Sequence, residues 1–334
     1  MGTDMDWRQR IYDTAAKIAE SFEADPRVVA IAIGGSIGRR QIWKHSDLEL
    51  CLIVEEPISE LSYFNVRAGL GVEIIQIDRD HMKEWVDTFR EPNESLLKFP
   101  IQIYKCRITH DPSGLLGKFK KLYDKSLFHE SIRKLKREAA LTQSDAQLYA
   151  ARTLLAEGAS CTALSQLRMG LNDLLLAYYW HHGILPRSQN RTIRLLKHNT
   201  SHIGHTYLYD AFIAIYGLDE PLSRMKKEYF GAQSDIITLT NQSWGTDAAE
   251  FLRQAVDSKL EWGQTRSMLY VYKLCVHWMY AGQPDASDIY DHSSFREQSG
   301  GLYRFLNMDD LTSEKAWELV ASFEAARERI YGWE

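Results

Sequence analysis

The sequence predicts an α+β chain, with a small mixed-sheet domain over residues 1–125 followed by an all-α helical bundle over 126–334. Three observations lead there. Short apolar runs bounded by Gly, Pro and Asp crowd into the first third of the chain, the pattern of strands and turns. After residue 126 the pattern changes to long stretches with apolar residues three and four apart, the period of amphipathic helices. A length of 334 residues is enough for two domains.

Taken in order, Trp7, Ile11, Tyr12, Ala15, Ile18 and Phe22 fall at helical spacing, so a helix is expected over 5–24, ended by Asp25-Pro26. A first strand is expected over 28–33, a short helix from Ser36 to Gln41, and strands over 46–54 and 72–77. Met82, Trp85 and Val86 mark one face of a helix over 80–89, broken by Glu91-Pro92-Asn93. The apolar run 99–108 is expected to hold a further strand, beside the one over 72–77. Asp111-Pro112-Ser113-Gly114 is a turn signature, with a helix over 115–123 behind it.

In the second half, Leu164, Leu167, Leu171, Leu174, Leu175 and Tyr178 form a core-facing stripe. A partner helix over 130–156 is expected to fold back on it through Gly158-Ala159-Ser160, and Gly183 to Pro186 stops the second helix. Helices are further expected over 247–260, 262–280 and 313–331, with Gly282-Gln283-Pro284 as a stop.

Composition narrows the class. The 45% apolar and 25% charged content is that of an ordinary globular protein. A net charge of −5 gives no electrostatic footprint for nucleic acid. Cys51, Cys106, Cys161 and Cys275 are scattered and form no Cys-x-x-Cys pair, which argues for buried thiols rather than disulfides or zinc. There is no apolar run of membrane-spanning length, and MGTDMDWRQRIYD lacks a signal-peptide core, so a cytoplasmic protein is expected.

The chemistry concentrates in residues 31–52, IAIGGSIGRRQIWKHSDLELCL. On a strand, side chains alternate, so Asp47, Glu49 and Cys51 share one face and Leu48, Leu50 and Leu52 the other. Two carboxylates side by side repel unless a cation lies between them. Mg²⁺ suits such a site, because it works with one or two carboxylates plus substrate phosphates. Gly34 and Gly35 let the backbone approach an anion, Ser36 adds a hydroxyl and an N–H, and Arg39 and Arg40 stand nearby as phosphate partners. Glu73, between Val72 and Ile74, is a lone acid in an apolar strand and the candidate third ligand. Asp78 and Asp80 are weaker candidates.

Gly-Gly-Ser, a ten-residue spacer, Asp-Leu-Glu-Leu and a later Val-Glu-Ile together resemble the nucleotidyltransferase superfamily that includes DNA polymerase β. The Asp-x-Glu form with Val-Glu-Ile is most similar to the antibiotic-modifying branch typified by kanamycin nucleotidyltransferase. The specific motifs cover residues 25–125, and the helical half is a looser match. Exposed acids and an ordinary turn would explain neither the spacing nor Glu73.

The resemblance implies a nucleotidyltransferase domain that moves a nucleoside monophosphate, most simply AMP from ATP, to a hydroxyl of a small molecule. Asp47, Glu49 and Glu73 would be catalytic and hold Mg²⁺, and Gly35, Ser36 and Arg39 would hold the triphosphate. It also implies a general base on the first helix of the second domain, for which Glu138, Asp145 and Glu157 are open candidates, and a homodimer. The acceptor stays open between an aminoglycoside, a lincosamide and an unknown housekeeping molecule, none favoured by the residues. The alternative is an antitoxin-like or regulatory module acting on a protein partner.

Other features have plainer readings. Lys118, Lys120, Lys121, Lys125, Arg133, Lys134, Lys136 and Arg137 read as a solvated helix face, with phosphate contact as the alternative. His198, His202 and His205 are spaced for one helix face, but Asn199-Thr200-Ser201 and Gly204 argue against a helix there and favour surface histidines over a metal site. His181 and His182 are adjacent and point apart, and Tyr178, Tyr179 and Trp180 read as core. No Ser-His-Asp or Cys-His arrangement stands out.

Overall fold

A computed structural model describes residues 6–186, 192–261, 264–283 and 287–332. The chain divides into two compact units, Met1–Leu135 with Trp244–Ala255, and Lys136–Ser243 with Val256–Glu334. The composition shift suggested one division at 125/126. Along the chain the first unit instead continues to Leu135, and the segment Trp244–Ala255 returns to it.

The first unit is built on a five-stranded mixed sheet of β1 (Val28–Ile33), β2 (Leu48–Val54), β3 (Phe64–Arg67), β4 (Leu70–Asp78) and β5 (Arg107–His110). Their order is β3-β4-β2-β1-β5, with β2 and β4 parallel and the other pairs antiparallel. The leucines of β2 at 48, 50 and 52 are fully buried in one cluster with Ala15, Ile18 and Ala19 of α1 (Trp7–Glu20) and with Phe22 just beyond it. Alternation thus commits one sheet face to the core and leaves Glu49 on the other.

Two features differ from the sequence expectation. β3 was not foreseen: it is a four-residue edge strand whose residues are all half-buried, so no apolar alternation announces it. The run 99–108 is not a strand beside β4. A 3₁₀ helix at Glu94–Lys98 precedes it, a 3₁₀ turn at Ile101–Ile103 lies within it, and only Arg107–His110 is a strand, paired with β1 at the opposite edge. The reason lies in Pro100, which lacks an N–H to give a ladder. Leu96, Phe99 and Ile103 are instead buried as a packed loop, with Phe99 ringed by Trp85 of α3 (Arg79–Thr88) and Phe119 of α4 (Leu115–Ser126). Tyr123 donates its hydroxyl to the Pro100 carbonyl at 3.2 Å, which supplies a partner the loop would otherwise lack.

The second unit is helical. Helix α5 (Glu130–Ala156) passes along the chain from the first unit into the second, and Gly158, in a left-handed conformation, ends it before α6 (Ser160–His181). Every residue of the expected α6 stripe is buried. Gly170 lets α5 come close, since a Cβ there would lie 2.9 Å from the Gln147 side chain. The N-terminus of α6 has no local cap. Asp291 provides one from 130 residues away, accepting from Cys161 N at 2.9 Å and Thr162 N at 2.8 Å.

Three helices fill the stretch for which no element was expected: α7 (Thr192–Ile203), α8 (Thr206–Ile215) and α9 (Leu222–Trp244). Residues 198–202 are therefore helical, contrary to expectation. Thr200 sits inside α7 by donating its hydroxyl back to Leu196 O at 2.7 Å. The unit is completed by the last part of α10 (Thr246–Glu261), from Val256 on, and by α11 (Thr265–Ala281), α12 (Ser293–Gln298), α13 (Gly300–Phe305) and α14 (Ser313–Tyr331). Trp262, Pro284 and Met5, which the expected boundaries included, lie outside the described residues.

Among the residues buried in this unit are three bases, Arg168, Lys273 and His277. Arg168 donates to the carbonyls of Ile215 at 2.9 Å and Leu306 at 2.8 Å, and Lys273 donates to Tyr216 O at 2.9 Å. These carbonyls belong to the ends of α8 and α13, where helical partners run out. His277 Nδ1 lies 2.8 Å from Ser165 Oγ and 3.0 Å from the Tyr290 hydroxyl. Among the described residues, no helix is long and apolar enough to cross a membrane.

Candidate functional site

The site starts with the antiparallel pairing of β1 and β2. Ile33 pairs with Leu50, and the next residue, Gly34, donates its N–H to Glu49 O at 2.8 Å. The glycine turn is thereby fixed against the strand that carries the acids. Gly35 has φ +53°, and a Cβ there would lie 1.4 Å from the Glu49 carboxylate. At Gly34 a Cβ would lie 2.5 Å from Gln102 O. Both positions need glycine, one because the acid lies over the backbone and one because the packed loop abuts it.

The turn continues as a single helical turn, α2 (Gly35–Gly38), rather than a longer helix to Gln41. Ser36 and Arg39 are half-buried, and Arg40 is exposed. Arg39 reaches Tyr104 O at 3.5 Å, and its charge acts on Glu49. The loop then closes on itself. Ser46 N donates to Trp43 O at 3.0 Å, and Trp43 N donates to Ser46 Oγ at 2.9 Å. This closure delivers Asp47 at the head of β2.

Strand pairing brings in the third acid. In the parallel β2–β4 ladder Glu49 lies directly across from Glu73, on the same face. Asp47, Glu49 and Glu73 each offer an oxygen, and these oxygens all lie within 4.8 Å of one another. The three expected ligands are thus brought together. Asp78 and Asp80 are not among them: Asp78 caps α3 by accepting from His81 N at 2.6 Å, and Asp80 pairs with Arg79.

The three acids are half-buried, and their electrostatics follow from that. Burial raises the Asp47 carboxyl above its ordinary value, opposed by a hydrogen bond from its own backbone. Glu49 is pushed up to about 8, by burial first and then by the charges of Asp47 and Glu73, with Arg39 opposing. Glu73 is raised by burial and by Asp47, opposed by the hydrogen bond from Tyr63. Each carboxylate carries a penalty for its charge that a cation would relieve. Beneath them Cys51 is fully buried, and burial pushes its thiol well up, so it is not a nucleophile.

The donor set fits a hard divalent ion. It is all oxygen and all carboxylate, and the bare Gly35 backbone leaves room for the Glu49 carboxylate to lie there. Among the described residues, this is the only group of three or more His, Cys, Asp or Glu side chains with converging ligand atoms. His198 and His202 are exposed on α7, with rings stacked at 6.4 Å, and His205 lies near Tyr178 and His182.

Of the open candidates for a base, Glu138 and Glu157 are exposed on and just beyond α5, and Asp145 is ion-paired to Arg327 of α14. Of the basic run expected to face solvent, Lys118, Lys121, Lys125 and Lys134 are exposed, whereas Lys120, Arg133, Lys136 and Arg137 are half-buried. Lys136 lies 5.0 Å over the Trp180 ring, and burial lowers its pKa. Tyr63, whose hydroxyl donates to Glu73, was not foreseen, because it precedes a strand that the sequence pattern does not reveal.

Neither a scan of protein-family models nor a search of curated proteins found a match. Among solved structures, a nucleotidyltransferase-like protein from Exiguobacterium sibiricum aligns over 89% of this chain and 90% of its own, with 13% identity and a TM-score of 0.36. An overlap that low adds nothing to the reading of the site, which rests on motif and geometry.

Proposed function

We propose that this protein is a Mg²⁺-dependent nucleotidyltransferase that moves a nucleoside monophosphate, AMP from ATP, onto a hydroxyl of a small molecule. The observation that carries the reading is the convergence of Asp47, Glu49 and Glu73 beside the Gly34-Gly35-Ser36 turn. A metal-holding group and an anion-holding group side by side suit a triphosphate donor, and the motif spacing is that of the nucleotidyltransferases.

In this reading Asp47, Glu49 and Glu73 hold the metal. When bound, the metal supplies Lewis-acid stabilisation of the charge that develops during phosphoryl transfer. The chain's own residues do the rest. Gly35 and Ser36 offer N–H groups and a hydroxyl to the β and γ phosphates, and Arg39 adds a charge that cannot be lost. The glycine turn, fixed to β2 through Gly34 N, holds the phosphates in register with the carboxylates, so that positioning is built into the fold.

The proposed acceptor is an antibiotic of the aminoglycoside or lincosamide kind, and the enzyme is a homodimer in the cytoplasm. The test is pyrophosphate release from ATP and Mg²⁺ across a panel of such compounds. Release with one compound class is the expected result, and transfer of label to a protein would favour the regulatory alternative. Asp47→Asn should lower turnover by at least ~100-fold, the scale of a lost transition-state electrostatic contact. Its thermal midpoint in chelator should be no lower than wild type, because one of three repelling charges has gone. Unchanged turnover would remove the metal assignment.

A further inference from the structure

Tyr63 is a large aromatic side chain with 65% of its surface exposed, so core packing does not account for it. Its backbone is nevertheless fixed. Tyr63 O accepts from Ile74 N at 2.7 Å, and the next residue, Phe64, pairs with Glu73. Ser62 Oγ donates to Phe64 O at 2.9 Å, which tightens the entry into β3. From this anchored position the phenol hydroxyl donates to Glu73 Oε1.

β3 is an edge strand of four residues, too short to be rigid alone. It is braced within the same unit by α10. The Phe251 ring lies 6.0 Å from that of Phe64, and it approaches Gly71 so closely that a Cβ there would lie 2.8 Å from it. Gly71 and Glu73 are two apart on β4 and share a face, so Phe251 packs on the side of the sheet that carries the acids. A glycine in a strand interior marks such a close approach.

We propose that Tyr63 is a positioning residue for Glu73, holding that carboxylate for the metal that the proposed function requires; the inference rests on that function. The terminal torsion of a glutamate is broad, so its carboxylate rotates freely unless something holds it. A donor on Oε1 stops that rotation and leaves Oε2 for an ion. The hydrogen bond also offsets the repulsion that three neighbouring acids impose. Outer partners of this kind commonly set metal affinity by 10–100-fold.

The test uses Mn²⁺ alone as the probe, with free Mn²⁺ followed by electron paramagnetic resonance on the full-length protein. Tyr63→Phe removes one hydroxyl from an exposed ring and should weaken Mn²⁺ binding by roughly 10-fold. In turnover it should raise the Mg²⁺ concentration needed while leaving kcat at saturating Mg²⁺ close to wild type. In a Glu73→Gln background the same change should have no further effect, which a role elsewhere in the structure would not produce. Equal affinity in wild type and Tyr63→Phe, or an equal loss in both backgrounds, overturns the role of Tyr63 and leaves the metal site intact. Failure of wild type to bind Mn²⁺ overturns the metal reading and this inference together.

Discussion

At position 35 a methyl group would sit 1.4 Å from the Glu49 carboxylate, on a backbone at φ +53°. Gly35→Ala therefore faces two penalties, the left-handed conformation, of roughly 1–2 kcal/mol, and the displacement of an acid. The expected outcome is a lower thermal midpoint together with loss of Mn²⁺ binding, measured by melting and by titration. The glycines, Asp47, Glu49 and Glu73 were all legible in the sequence, because strand alternation and an acid flanked by Val72 and Ile74 are local facts. Tyr63 was not, because its meaning depends on a cross-strand pairing that no spacing encodes.

Between residue and domain, the elements show where local pattern stops being informative. α6 was legible because its stripe is unbroken from Leu164 to Tyr178. Its N-terminal cap was not, since Asp291 lies 130 residues away. Replacing a helix cap with Ala costs about 0.5–2 kcal/mol, and Asp291→Ala removes the acceptor for two N–H groups at once. Denaturant unfolding should show a loss near the upper end, about 2 kcal/mol, with Asp291→Asn milder. The run 99–108 failed as a strand because Pro100 cannot join a ladder, and α7 was masked by Asn199-Thr200-Ser201, whose threonine bonds back to Leu196. β3 escaped because an edge strand that is half-buried throughout has no apolar rhythm to read.

Across the whole chain, the two-part division into sheet and helices followed from the change of period, whereas the internal polar hub did not. Arg168 flanks the α6 stripe and would pass for a surface residue, yet it is 1% exposed. Burial holds the His277 imidazole well below its ordinary value, with Arg168 and Lys273 adding to the effect. A depressed imidazole contributes stability that is full above its unfolded value of about 6.5 and is lost as pH falls toward the folded value. The unfolding free energy should therefore decline below about pH 6.5, and His277→Gln should flatten that decline. Denaturant melts at a series of pH values provide the measurement.

The return of Trp244–Ala255 to the first unit bears on how the gene can be divided. A fragment ending at residue 135 contains every carboxylate and both glycines, yet it is an incomplete object. Without Phe251 the Phe64 ring, on an edge strand with unpaired N–H and C=O groups, and the bare backbone of Gly71 on the neighbouring β4 are left uncovered. The sheet unit of this molecule is thus a split module, whose missing piece is encoded more than a hundred residues downstream. Complementation by a peptide spanning α10, rather than simple truncation, is the route to an isolated sheet domain.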